Sequence, residues 1–146
     1  MKQAYVSLSA STEAMMKDYR RYIEPFMRAN FKLVLNSDFA HQDSPNIHPS
    51  AEWVLGRERI RAIESSKLAL FYVAGDTGRQ KPYELDIARR SKVPIFVYSP
   101  NDFQESFSSE AFLCFAEFGG IPAFRHSSKL ELAIRKELGL AVEVTT

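Results

Sequence analysis

The chain has 146 residues, of which 45% are hydrophobic and 25% are charged, and its formal net charge is +1. This length predicts a single domain with a sizeable core, and the near-neutral charge argues against a nucleic-acid or membrane partner. No apolar run approaches the roughly 20 residues of a membrane-spanning helix, and the first apolar stretch is too short for a signal peptide.

The first half of the chain alternates predicted strands and helices. Hydrophobic alternation predicts a strand over Gln3–Ser9, and Ser11 is expected to cap a helix that runs to about Arg28, with Pro25 as a point of termination or kinking. A strand over Phe31–Leu35, a polar loop over Asn36–Pro49 and a helix over Trp53–Ile63 follow. Residues expected in the core of these helices are Met15, Tyr19, Tyr22, Ile23, Phe26, Trp53, Ile60 and Ile63.

The second half continues the alternation. The elements predicted there are strands over Leu68–Val73, Val93–Tyr98 and Pro122–Phe124, and helices beginning at Pro82 and Ser108. A last helix is predicted to be capped by Ser127-Ser128 and ended by Gly139. Strands that alternate with helices predict a parallel sheet. We therefore expect one flavodoxin-like or Rossmann-like α/β domain over residues 1–146, with five strands in the order 2-1-3-4-5 and helices on both faces.

The single cysteine, Cys114, excludes an internal disulfide and favours a reducing compartment, so we expect a cytoplasmic protein. Cys114 lies in an apolar helical pattern and is predicted to be a core residue rather than a nucleophile. The three histidines, His41, His48 and His126, are scattered, and no HExxH or CxxC pattern is present. The sequence therefore predicts neither a metal site nor a cofactor.

The segment from Ser66 to Pro100 is the most informative part of the chain. A buried strand ends in a polar loop, and Glu84 lies in the first turn of the helix that follows. This layout puts a carboxylate above the carboxyl ends of the parallel strands, where ligands bind in open α/β sheets. The helix dipole alone also favours a Glu at that place, so its position by itself does not establish a function.

The end of the first strand carries three hydroxyls, on Ser7, Ser9 and Ser11, beside the start of a helix. Hydroxyls and free backbone N–H groups at a helix N-terminus suit a phosphate or another anion, although simple capping explains Ser11 equally well. The GxxxxGK[ST] and GxGxxG patterns are absent, which argues against nucleoside triphosphate hydrolysis and against a standard dinucleotide site.

Tyr5 and Ser9, followed by Tyr83-Glu84-Leu85, resemble the nucleoside 2-deoxyribosyltransferase superfamily, most closely its 2′-deoxynucleoside 5′-monophosphate N-glycosidases. The resemblance implies cleavage of the N-glycosidic bond of a nucleoside or its monophosphate, with the base released or exchanged. It implies Glu84 as nucleophile, Tyr5 as the residue that orients it or the sugar, and Ser9 with Ser108 or Ser109 as phosphate ligands. It also implies a homodimer or higher homo-oligomer, because the second Ser is offered across a dimer interface.

The chain departs from that family pattern at several positions. Ser11 stands where the family has Arg, and Glu58 is the nearest carboxylate to the family's helper Asp. The loop before Glu84 is bulkier and basic, and we expect Arg79 and Lys81 to supply the positive charge toward a phosphate that Ser11 lacks. The predicted substrate-binding residues are Ser7, Ser9, Ser11, Asp76, Gly78, Arg79, Lys81 and Ser108.

Two other functions remain open on the same fold. The segment Tyr5–Ser9, the pair Ser65-Ser66 and the position of Glu84 also resemble TIR domains, which implies an NAD hydrolase or a signalling domain. The bulky loop before Glu84 favours instead a non-catalytic nucleotide-binding domain. Aromatic residues that fit either a dimer surface or the core are Phe103, Phe107, Phe112, Phe115 and Phe118.

Overall fold

The computed structural model describes residues 1–9, 12–42, 55–75, 77, 80–100 and 107–141. A parallel five-stranded sheet lies at its centre, with the strands in the order β2-β1-β3-β4-β5. The strands are β1 (Gln3–Leu8), β2 (Lys32–Leu35), β3 (Leu68–Tyr72), β4 (Ile95–Tyr98) and β5 (Ala123–Phe124). The predicted α/β class and strand order are confirmed.

Helices cover both faces of the sheet. They are α1 (Glu13–Tyr22), α2 (Glu24–Asn30), α3 (Arg57–Glu64), α4 (Lys81–Arg90), α5 (Phe107–Phe118) and α6 (Ser127–Leu138), and a 3-10 helix spans Asn36–Gln42. Within the described residues, none of these helices has both the length and the apolar character needed to cross a membrane.

The first predicted helix is in fact two helices, and its cap is one residue later than expected. Thr12 is the N-cap of α1, and its side chain accepts a hydrogen bond from the Met15 N–H at 3.2 Å, whereas Ser11 lies outside the described residues. The helix is interrupted at Ile23, so Pro25 falls in the first turn of α2. The break suits proline, because N–H groups in a first helical turn have no partner within the helix.

Other boundaries also differ from the sequence predictions. The predicted loop over Asn36–Pro49 begins as the 3-10 helix, and residues 43–49 lie outside the described residues. Ser127 is already the first residue of α6, and His126 is its N-cap without a side-chain hydrogen bond, so the predicted serine cap is wrong. Gly139 ends α6 as predicted, with a φ of 66° that favours glycine.

Two hydrophobic cores lie on the opposite faces of the sheet. The face covered by α1, α2 and α6, hereafter the α1 face, includes Val6, Tyr19 and Leu70. The face covered by α3, α4 and α5, hereafter the α4 face, includes Tyr5 and Phe71. Because side chains alternate along a strand, consecutive residues of β1 and β3 contribute to different cores.

Several residues expected in the core are exposed instead. The Tyr22 side chain is 42% exposed at the end of α1, and Cys114 is exposed on α5, so both predictions are wrong. On α5 one side of the helix faces the sheet, where Ser109, Phe112 and Ala116 are buried, whereas Phe118 is 96% exposed. Ile63 is buried and Ile60 half-buried as expected, and Trp53 and Phe103 lie outside the described residues.

A side-chain amide extends the pairing of β1 beyond the end of β2. The Leu8 N–H donates to Asn36 Oδ1 at 2.9 Å, and Asn36 Nδ2 donates to the Leu8 carbonyl at 3.2 Å. β2 itself ends at Leu35, which pairs with Val6. The Asn36 side chain therefore replaces a backbone strand partner for Leu8.

Candidate active site

Glu84 lies at the junction of α4 with the sheet, and its side chain is buried, with 1% of the residue exposed. Its Oε1 accepts a hydrogen bond from Ser7 Oγ at 2.9 Å, and its Oε2 accepts one from the Tyr5 hydroxyl. Tyr5 and Ser7 are two residues apart on β1 and so project from the same face of the sheet. The first turn of α4 therefore supplies the carboxylate, and two hydroxyls of β1 hold its two oxygens.

Lys81 completes this cluster from one turn earlier in α4. Three residues apart on a helix, Lys81 and Glu84 are neighbours on one side of it. The Lys81 ammonium donates to the Ser7 carbonyl at 2.8 Å and to Ser7 Oγ at 2.9 Å. It also lies 5.7 Å from the ring centre of Phe71 and 6.0 Å from that of Phe112. The Ser7 hydroxyl thus bridges the ammonium and the carboxylate.

The electrostatics of the cluster are set first by burial. Burial raises the pKa of Glu84, while the charge of Lys81, the Tyr5 hydrogen bond, the charge of Arg59 and the Ser7 hydrogen bond each act to lower it. Burial lowers the pKa of Lys81 to about 8, against the opposing effect of Glu84. Loss of hydration therefore disfavours the charged form of both groups, and the hydrogen bonds and opposite charges of their partners offset part of this effect.

A second set of contacts joins the neighbouring loops. Ser9 Oγ donates to the Thr77 carbonyl at 3.1 Å, and the Thr77 N–H donates to Ser108 Oγ at 3.1 Å. Thr77 itself is buried. The end of β1, the connection between β3 and α4, and the start of α5 are therefore held together at the carboxyl edge of the sheet.

The structure brings together a large part of the predicted site. Tyr5, Ser7, Lys81 and Glu84 form one hydrogen-bonded network, and Ser9 and Ser108 are linked through Thr77. Ser109 is fully buried. The predicted residues Ser11, Asp76, Gly78 and Arg79 lie outside the described residues.

Sequence reasoning missed two members of this region, Arg59 and Thr77. Arg59 is only 2% exposed, and its guanidinium lies 6.0 Å from the ring centre of Phe39. The sequence signal for its burial was the position of Arg59 four residues before the buried Ile63, on the same side of α3. The neighbouring Glu58, named for its carboxylate, is exposed.

A separate cavity of about 330 Å³ lies beside β4 and the start of α6. Its lining includes Asp18, Tyr98 and Arg125. Tyr98 belongs to the core of the α1 face, whereas Tyr5 belongs to that of the α4 face, so the sheet separates this cavity from Glu84. We take the Glu84 cluster as the candidate site, because it holds a buried carboxylate beside a buried ammonium, and burial shifts the pKa of both.

Among the residues that the structure describes, no group of three or more His, Cys, Asp or Glu side chains is arranged to hold a metal ion. The chemistry available at the candidate site is that of a carboxylate, an ammonium, a phenol and several hydroxyls. Such a set can attack an electrophilic carbon and can bind a polar sugar.

Comparison with known proteins gives matches in structure only. The sequence matches no protein-family model and no curated protein. A conserved protein from Enterococcus faecalis V583 has a TM-score of 0.61 at 9% identity, covering 94% of this chain and 99% of that one. A 2-deoxyribosyltransferase from Bacillus psychrosaccharolyticus has a TM-score of 0.55 at 14% identity, covering 88% of this chain and 90% of that one. The TM-scores show that the fold is shared, and at identities this low the similarity extends to the fold alone.

Proposed function

We propose that this chain, which shares its fold with a 2-deoxyribosyltransferase, breaks the N-glycosidic bond of a nucleoside or a (deoxy)nucleoside 5′-monophosphate. Glu84 is the nucleophile in this proposal. The observation that carries it is the buried Glu84 carboxylate, which the Tyr5 and Ser7 hydroxyls fix at the carboxyl edge of the sheet.

The reaction proceeds in two steps at the sugar C1′. A Glu84 oxygen forms a bond to C1′ as the C1′–N bond breaks, and the electron pair of that bond leaves with the base, which takes up a proton. The transition state resembles an oxocarbenium ion, as in retaining glycosidases. Water, or a second base in a transferase, then attacks C1′ and releases Glu84. The Tyr5 hydroxyl orients the carboxylate before the attack.

A phosphate group on the substrate is proposed to lie at the end of β1. Ser9 and Ser108 both carry hydroxyls there, each within hydrogen-bond distance of Thr77. On substrate binding, the Ser9 hydroxyl would exchange the Thr77 carbonyl for a phosphate oxygen. Ser11 and Arg79 are proposed as further phosphate ligands, and a homodimer is the proposed assembly.

Binding without turnover is a second candidate function, favoured by the burial of Glu84. Only 1% of this residue is exposed, both of its oxygens accept hydrogen bonds, and burial raises its pKa. A carboxylate held this closely can serve as a structural part of a nucleotide-binding domain. Turnover measurements separate the two functions.

The test is incubation of the purified protein with deoxynucleoside monophosphates, ribonucleoside monophosphates, deoxynucleosides and NAD, with the released base followed by chromatography. We expect release from nucleosides or monophosphates, and a loss of at least about a thousandfold in Glu84→Gln, or about 4 kcal/mol of transition-state stabilisation. Nicotinamide release from NAD would assign the TIR-like activity instead. Ligand binding with no release from any compound would establish the non-catalytic function.

Asp86→Asn is the matched control for this test. Asp86 lies two residues after Glu84 on α4, but its side chain is 54% exposed and pairs with Arg90 at 3.1 Å. The substitution makes the same chemical change on the outer side of the helix, and we expect base release to be unchanged. Equal losses in both variants would show damage to α4 rather than removal of a nucleophile.

A further inference from the structure

The Lys81 ammonium points into the protein rather than toward a ligand. Lys81 is 1% exposed, and both oxygens of Ser7 accept its hydrogen bonds. The rings of Phe71 and Phe112 flank the same ammonium. A lysine that neutralises a substrate phosphate must offer its charge to the open site, and Lys81 offers its charge to β1.

Resting on the proposed function, we propose that Lys81 is a positioning residue for the Glu84 nucleophile. Through the Ser7 hydroxyl it orients the carboxylate and keeps it anionic, and it does not bind the substrate phosphate. This assignment separates Lys81 from Arg79, with which it shares the basic stretch before Glu84.

Hydrogen-bond counting supports the role of Ser7 as a directed bridge. A serine hydroxyl has one hydrogen and two acceptor lone pairs, whereas an ammonium only donates. Because Lys81 donates to Ser7 Oγ, the single hydroxyl hydrogen is available to Glu84 Oε1, 2.9 Å away. Without Lys81 the hydroxyl loses the donor that the described residues place at this lone pair, and it can then rotate away from the carboxylate.

The charged and titratable groups that act on Glu84 come from three elements. Tyr5 contributes its hydroxyl from β1, Arg59 contributes a positive charge from α3, and Lys81 contributes one from α4. Each lowers the pKa of Glu84 against the effect of burial, and Lys81 is the strongest of them. Removing the Lys81 charge therefore raises the pKa of Glu84 further and disfavours its anionic form.

Lys81→Met tests this role through the pH profile of kcat/KM, with the exposed Lys67→Met as the matched control. We expect the acidic limb of the profile to move to higher pH, with a loss of about tenfold on that limb that recovers at higher pH. The loss should be equal for a deoxynucleoside and its monophosphate. A loss confined to the monophosphate, with an unmoved limb, would show that Lys81 binds phosphate and would overturn the inference.

A titration that needs no turnover tests the same role independently. The ¹³C NMR signal of the Glu84 carboxyl, assigned by its absence in Glu84→Gln, should titrate at higher pH in Lys81→Met than in the original protein. Lys81→Gln removes the charge but keeps a long polar side chain, and it too should raise this midpoint, which covers the case in which Lys81→Met fails to fold. Midpoints unchanged in the folded variants would overturn the inference. Absence of base release would overturn the proposed function alone.

Discussion

The two faces of the sheet bury different chemistry. Among the described residues, three buried charged side chains, Arg59, Lys81 and Glu84, belong to helices of the α4 face, and one, Asp18, belongs to the α1 face. Asp18 is held by the Tyr72 hydroxyl at 2.9 Å. Burying a charge costs folding free energy that its partners only partly return. The α4 face therefore bears more of the cost of buried charge than the α1 face does.

The largest effect on stability should come from a cavity on the α1 face. Leu70 is fully buried on the central strand β3, and Leu70→Ala should lower the free energy of unfolding by about 2–5 kcal/mol. Leu132→Ala makes the same change at a residue 40% exposed on α6 and should cost far less. Denaturant unfolding measures both. Equal costs would show that the burial of Leu70 adds no stability to this face.

The pH dependence of stability should reveal the free-energy cost of burying charged groups on the α4 face. Burial lowers the pKa of Lys81 from 10.5 to about 8, so between these values the unfolded chain holds a proton that the folded chain has lost. The free energy of unfolding should therefore rise by about 3 kcal/mol as the pH increases across that interval. Glu84 acts in the opposite sense, because its stabilising contribution falls as the pH rises through its raised pKa.

Lys81→Met isolates the alkaline part of this dependence. Unfolding curves of the two proteins are compared at several pH values from 8 to 10.5. Because methionine carries no proton, the free energy of unfolding of the original protein should rise by that same amount relative to that of Lys81→Met. A constant difference over the interval would mean that Lys81 keeps its ordinary pKa in the folded protein. The contrast between the faces would then rest on Glu84 and Arg59.

The smallest effect should come from the polar pair on the α1 face. Tyr72→Phe removes a buried hydroxyl that donates to Asp18 Oδ2, and we expect a loss of about 1–3 kcal/mol in the free energy of unfolding. Tyr22→Phe removes a hydroxyl from a ring that is 42% exposed and should change stability by less than about 0.5 kcal/mol. Thermal unfolding of the two variants makes the comparison. A Tyr72→Phe protein as stable as the original would show that this pair adds nothing to the face.

The sheet could be predicted from sequence because its signals are local. Apolar strands alternate with helices, and the constraints on connections between parallel strands leave a few orders, of which 2-1-3-4-5 is a common one. Prediction failed where the hydrophobic pattern of a helix did not distinguish its buried side from its exposed side. Leu113, Cys114 and Phe115 are consecutive apolar residues on α5, so periodicity could not tell which side of the helix faces the sheet, and Cys114 proved to be exposed.

The candidate site was predictable in its strand and helix residues and less so in its orientation. Ser7 and Glu84 lie near ends of elements whose positions the fold dictates, and Tyr5 precedes Ser7 by two residues on β1. The direction of the long Lys81 side chain depends on rotamers and on acceptors distant in sequence, which a local pattern does not contain. Arg59 was missed because arginine is almost never fully buried, so the residue type alone predicts an exposed side chain.

The Asn36 amide ties the far edge of the sheet to the geometry of Glu84. A slip of one residue between neighbouring strands turns every side chain to the opposite face. For β1, such a slip would direct Leu8 toward Glu84 and carry Ser7 to the α1 face. Asn36 holds the backbone of Leu8 through both its N–H and its carbonyl, beyond the last backbone pair of β2. A residue with no contact to the carboxylate thus acts as a register lock, and the fidelity of strand alignment during folding becomes a condition for assembling the site.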